Sequence, residues 1–209
     1  TKSAAGDIAV KADIAARVAG SSEATVRADV AIAAPFDAAG AFVLDPAAVS
    51  ATIEARGVPM AALQPFAPEI AEGTRLSLVD DIGETADLTI VKQRGNRARI
   101  ALAARQVQFA LDGAVAPDGS SIEGGTVTAA ASLRPELLRG MGLVDPTALK
   151  VALRGERLSW RKDSDVVRAL GGSLVLNITD PFECAVAADP MRLRAESLEV
   201  AIEKEPGKP

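Results

Sequence analysis

The stretch Ile8-Ala9-Val10-Lys11-Ala12-Asp13-Ile14-Ala15-Ala16-Arg17-Val18 sets the reading of the chain. Ile8, Val10, Ala12, Ile14, Ala16 and Val18 recur at every second position, and Lys11, Asp13 and Arg17 fall between them. Successive side chains of a strand point to opposite faces, so this pattern predicts a strand with one apolar and one charged face. At roughly eleven residues it is about twice the usual strand length. Gly20-Ser21-Ser22-Glu23 follows as a turn, and Val26, Ala28, Val30 and Ile32 then alternate against Arg27 and Asp29. The two runs predict an antiparallel hairpin.

The same period continues outward. Val49–Arg56 alternates strictly. Pro59 and Pro65 then bracket a segment that has room only for a short helix. Leu76 with Leu78, and Leu88 with Ile90, extend the strand pattern, and Gly95-Asn96 marks a turn. Ile100, Leu102 and Ala104 alternate on even numbers, whereas Val107, Phe109 and Leu111 alternate on odd ones. That phase change near Arg105-Gln106 predicts a bulge or bend in one long strand. Pro117–Ser121 reads as a loop, and Val127–Leu133 as a strand leading into a second short helix, Pro135–Gly140. Leu149, Val151 and Leu153 form a strand that Leu158 and Trp160 extend past another phase change. A helical turn is expected over Asp163–Leu170, a strand over Leu174–Ile178, and a closing strand or strand pair over Met191–Ile202.

The expected fold class is therefore mainly β. Long amphipathic antiparallel strands form a curved sheet, groove or sandwich, with two or three short helices. Residues 1–203 read as one β-rich domain. A strand followed by a Pro-led helix occurs at Val49–Phe66 and again at Val127–Gly142, which leaves open two similar units, about 1–122 and 123–203. Residues 204–209 read as a charged Pro/Gly linker, which suggests that more chain follows. Thr1-Lys2-Ser3 has no initiating Met and no apolar signal core, as expected of a section or a processed form of a longer protein.

Composition narrows the chemistry. The 209 residues are 48% hydrophobic, 24% charged and carry a formal net charge of −5, the balance of a folded domain. No stretch is long and apolar enough to cross a membrane as a helix. There is no His, which excludes Ser-His-Asp and Cys-His machinery and His-ligated metals. A single Cys excludes an internal disulfide and a cysteine zinc site. Aromatic residues make up 3% of an acidic chain, a poor basis for nucleic-acid binding. No cofactor or metal is implied.

The local candidates are weak. Cys184 lacks an activating His and reads as an inert thiol. Asp80, Asp81 and Glu84 are oxygen-rich, yet without the spacing of a calcium loop. Gly124-Gly125 and Gly171-Gly172 lack the remainder of a phosphate loop and read as turns. Arg154, Arg157, Arg161 and Lys162 beside Trp160 suit either a membrane-surface belt or the charged outer face of a strand. Glu183 and Asp189 show no acid/base partner, and sugar-cleaving carboxylates normally sit among aromatic platforms that this chain lacks.

The strand faces are the stronger candidate. Inner residues that are mainly Ala, Val, Ile and Leu suit a trough for acyl chains, or equally the closed core of a sandwich. The expected lining is Ile8, Val10, Ile14, Val18, Val26, Val30, Ile32, Ile53, Ile100, Leu102 and Phe109. A trough leaves Ile14, Val30 and Phe109 open, whereas a sandwich covers them fully.

Val49–Phe66, an alternating strand running into Pro59-Met60-Ala61-Ala62-Leu63-Gln64-Pro65-Phe66, resembles a unit of AsmA-like proteins. Phe36–Leu44 and Ala148–Gly155 resemble their Gly-containing strand turns. The resemblance is one of texture over most of the chain. It lacks the family's N-terminal membrane anchor and most of its length. It implies a non-enzymatic module of a Gram-negative periplasm or envelope, with an apolar groove for lipid binding, transport or outer-membrane maintenance. Phospholipid or another acyl-chain ligand, and a membrane or envelope protein, are the implied partners. No catalytic residue is carried over. The alternative is a closed β-sandwich acting as a structural or protein-interaction module.

Overall fold

In a computed structural model the described residues are 6–17, 23–71, 74–116, 120–161, 171–186, 189–195 and 198–204. They form strands β1 (Ile8–Arg17), β2 (Glu23–Ile32), β3 (Val49–Pro59), β4 (Glu69–Ala71), β5 (Thr74–Arg75), β6 (Thr85–Lys92) and β7 (Arg97–Ala104). These are followed by β8 (Val107–Val115), β9 (Ser121–Leu133), β10 (Leu149–Arg161), β11 (Gly171–Ile178), β12 (Phe182–Val186), β13 (Asp189–Ala195) and β14 (Leu198–Lys204). Two short helices, α1 (Met60–Leu63) and α2 (Pro135–Gly140), interrupt them.

Ten strands make one antiparallel sheet in the order β1-β2-β3-β6-β7-β8-β9-β10-β11-β14. The sheet is not closed, so of the forms the sequence allowed the open one is present. β4 with β5, and β12 with β13, form separate two-stranded hairpins. Residue 122 lies inside β9.

Register carries the alternation across the sheet. Ile14 pairs with Val26, Ala28 with Ile53, Ile53 with Ile90, and Ile90 with Ile100. Leu102 then pairs with Phe109, Phe109 with Ala129, Ala129 with Leu153, Leu153 with Leu176, and Leu176 with Val200. Paired residues share a face, so one apolar surface runs over all ten strands. The opposite face carries cross-strand ion pairs, including Lys11–Asp29 at 3.0 Å, Arg27–Asp13 at 2.9 Å and Arg97–Asp112 at 2.6 Å. These pairs are largely solvated, and each stabilises by about 0.2–1 kcal/mol.

Bulges bend the inner strands. β3 shifts register between Ala55 and Val58, with Gly57 at φ 63° donating its N–H to Asp87 at 2.7 Å. β10 shifts between Gly155 and Leu158 against β9, where Arg157 holds φ 55°. An extra residue in one strand bends it and raises its twist, which gives the sheet its curvature. The bulge in β10 is the phase change expected before Leu158 and Trp160.

Four local expectations are corrected. Arg105-Gln106 is a two-residue link between β7 and β8, so the phase change there is a hairpin and not a bend in one strand. Leu76–Leu78 is not a strand, because Leu78–Ile82 is a single π-type turn closed by Gly83 N–H to the Leu78 carbonyl at 3.1 Å. Gly124-Gly125 and Gly171-Gly172 lie within β9 and β11 and are not turns. Of the closing pair, β13 leaves the main sheet for β12, which the sequence did not show as a strand. Val18, the turn at Gly20–Ser22, the helical turn at Asp163–Leu170 and residues 205–209 of the linker lie outside the described residues.

Candidate functional site

Covering elements gather at one end of the apolar face. β3 runs into α1, the 3-10 turn Gln64–Phe66 and the π-type turn. Met60, Ala67, Leu78 and Ala86 form a buried cluster there, with Val58, Leu76, Ile82, Leu102 and Ala104 packed on it. Gln64 ties this plug together. Its Nε2 donates to the Leu76 carbonyl at 2.9 Å, and its Oε1 accepts from Leu78 N–H at 2.8 Å. Asp81, 4% exposed, accepts from Ser77 N–H at 2.7 Å and is held by the Arg134 guanidinium. The hydrogen bond to Asp81 raises the pKa of Arg134, against a smaller lowering by burial. Arg134 precedes α2, whose Leu137 and Leu138 are also buried. One ion pair thus links the two capping elements.

Away from that end much of the face is open among the described residues, although Val127 and Leu158 are buried. Of the expected lining, Val10 is 59% exposed, Ile14 61% and Ile100 37%. Ile8, Val26, Val30, Ile32, Ile53, Leu102 and Phe109 are half-buried. Ile14, Val30 and Phe109, which a closed sandwich would cover fully, are therefore not covered fully. Val18 lies outside the described residues. Leu102 is brought under the plug instead of the open face.

The apolar face extends beyond the expected lining. Leu153, Leu174, Leu176, Leu198, Val200 and Ile202 continue the same face on β10, β11 and β14. Leu176, Leu198, Val200 and Ile202 are among the exposed large hydrophobics. Their alternation is plain in the sequence. Only the strand pairing sets them in one row with Phe109 and Leu102. At the end away from the plug, the β2–β3 loop exposes Phe36, Phe42, Val43 and Leu44, with Phe36 and Phe42 packed edge to face at 5.9 Å.

The polar candidates resolve into structure. Asp80 accepts from Ser77 Oγ at 2.7 Å and Asp81 is paired, so both carboxylates are engaged internally. No metal-ligating group of side chains occurs among the described residues. Cys184 is buried in β12. Arg154 lies on the charged face and pairs with Glu156 at 2.6 Å. Glu183 pairs with Arg194 at 3.3 Å. Hollows of about 430 and 370 Å³ are shallow and open, the first lined by Thr85, Asp87 and Arg105, the second by Lys11, Asp13, Arg27 and Glu54.

Fold and site together define a β protein built on one open ten-stranded sheet whose apolar face, among the described residues, is covered by the plug at one end and open at Val10, Ile14, Leu176 and Ile202. Compared with protein-family models, with curated proteins and with solved structures, the chain has no match.

Proposed function

We propose that the chain is a non-catalytic lipid-binding module whose open sheet face holds acyl chains. The observation that supports this reading is the continuous aliphatic face over ten strands, much of it open beyond the plug among the described residues. Nine strand spacings make it roughly 43 Å wide. A contiguous apolar patch of such extent marks an interaction surface. Each acyl methylene moved onto it from water stabilises the complex by about 0.8 kcal/mol. A face of Ala, Val, Ile and Leu without directional polar groups suits a flexible hydrocarbon better than a defined polar substrate.

The biological setting proposed with it is the periplasm or envelope of a Gram-negative bacterium, in lipid transport or outer-membrane maintenance. That part rests on the resemblance of Val49–Phe66 to AsmA-like units. Native mass spectrometry of protein purified without detergent, followed by lipid extraction, tests the reading. Bound phospholipid or fatty acid in defined stoichiometry is expected. A clean apo mass, with no uptake of a fluorescent fatty acid, would overturn it in favour of a structural module.

A further inference from the structure

The two edges of the sheet differ in what they can pair with. β1 runs in unbroken register with β2 through ten pairs, and β14 with β11 through seven. Neither pairing has a bulge, and neither edge strand contains proline. Such edges are templates for another strand unless their side chains oppose it. Among the described residues the outer edge of β1 has no strand beside it.

An antiparallel strand laid on β1 must keep the apolar face on one side, which leaves only registers where paired numbers share parity. For β1 against a second β1, of the registers that pair more than five residues of each strand, one alone avoids like charges. Centred on Ala12, it sets Lys11 opposite Asp13 of the second copy, Asp13 opposite Lys11, and Asp7 and Arg17 opposite each other. The neighbouring registers set Lys11 on Lys11, Asp13 on Asp13, Asp7 on Asp13 or Lys11 on Arg17. On the apolar face the same register brings Val10, 59% exposed, beside Ile14, 61% exposed, and Ala12 beside Ala12.

The charges also continue rows already present inside each sheet. One row reads Glu54, Arg27, Asp13, then Lys11 and Asp29 of the second copy, alternating in sign throughout. The next reads Glu23, Arg17, then Asp7 and Arg94 of the second copy, again alternating, with Asp7 and Arg94 already paired at 2.8 Å within one chain. At the other edge the one register that pairs more than five residues of β14, centred on Ala201, would set Glu199 on Glu203, a repulsive pair.

We propose that β1 pairs with β1 of a second copy of this chain, antiparallel about Ala12, fusing two sheets into one of twenty strands. The arrangement is two-fold and closed, so it makes a dimer and not a fibre. One strand pair buries less than a standard stable interface, so the dimer dissociates on dilution. This inference stands on edge register and charge, and does not depend on the lipid reading.

Sedimentation over a concentration series tests it. The mass is expected to rise from 21.4 kDa toward twice that value. Lys11→Asp sets carboxylates against Asp13 of the second copy, and Asp13→Lys sets ammonium groups against Lys11. Each variant alone is expected to stay monomeric, whereas an equimolar mixture of the two regains the dimer, because opposite charges then meet. The mixture also separates lost pairing from a failure to fold. Monomer at every concentration, a dimer indifferent to Lys11→Asp, a mixture that stays monomeric, or open-ended growth would each overturn the proposal.

Discussion

Leu102 and Ile100 lie two residues apart on the same face of β7. Leu102 packs on the plug of Met60, Leu78 and Ala86, whereas Ile100 looks out between Ile90 and Leu111 and is 37% exposed. The strand is the same and the residue class is the same. What differs is the covering segment, Met60–Ile82, that reaches one and not the other. Stability at that end therefore comes from insertions between strands, whereas Ile100 and the edge residues Ile14 and Ile202 keep much of their apolar surface open. Fully burying one such side chain is worth about 1.5–3 kcal/mol, a gain that Ile100 realises only in part.

The largest break in this comparison comes from α2. Leu138 is fully buried, and Leu138→Ala is expected to lower the unfolding free energy by about 2–5 kcal/mol in urea denaturation. Arg134→Ala probes the link between the two caps. It leaves the Asp81 carboxylate, 4% exposed, with the Ser77 N–H but without its counter-charge. Removing one partner of a buried pair strands the other, so a loss of about 3 kcal/mol is expected. A loss below 1 kcal/mol would mean that the caps hold without the pair.

How much of this was legible follows from the kinds of interaction involved. Period two in Ile8–Val18 and its successors fixes strand identity and face, because both are local properties of the backbone. Pro59 and Pro135 mark both helices for the same reason. The plug was not legible. Leu76 and Leu78 keep the spacing of a strand, but Gln64, twelve and fourteen residues away, binds their backbone and Asp81 closes the turn on Ser77. Those are tertiary bonds that no short window contains. The phase change at Arg105-Gln106 has two solutions, a bulge or a hairpin, and only strand pairing separates them. For the candidate site, each apolar row was visible, but its neighbours were not.

A second contrast lies in the sheet itself. A Cβ built on Gly155 would sit 2.7 Å from Val127 Cγ1 and 2.8 Å from Leu174 Cδ2. The glycine thus lets residues of three strands meet beside the β10 bulge, where Val127 and Leu158 are buried. Gly155→Ala is expected to destabilise by about 1–3 kcal/mol through overpacking, read as a lower melting temperature. No change would mean that Leu174 swings clear and that the packing there is loose.

The sharpest test keeps to one strand. Leu102→Ala is expected to cost about 2–3 kcal/mol, because the plug cannot follow the lost side chain. Ile100→Ala removes a group that still touches water and is expected to cost less than half of that. Equal losses in paired denaturation curves would show that the face is covered beyond the plug.

The smallest effect on stability carries the most about function. Ile14 and Ile202, on the two edge strands, are 61% and 56% exposed. Exposed substitutions away from caps and cores usually change stability by no more than about 0.5 kcal/mol, so Ile14→Ser and Ile202→Ser are expected to melt like the parent. On the proposed reading each also removes aliphatic surface from the acyl-binding face and replaces it with a hydroxyl. Uptake of a fluorescent fatty acid should then fall several-fold while the melting curve stays in place. That separation is what distinguishes a face used for ligand from one that is merely uncovered. If uptake is unchanged in both variants, the acyl chains do not lie across the edges. If melting falls with uptake, these side chains serve the fold, and the contrast between the plugged end and the bare face loses its functional meaning.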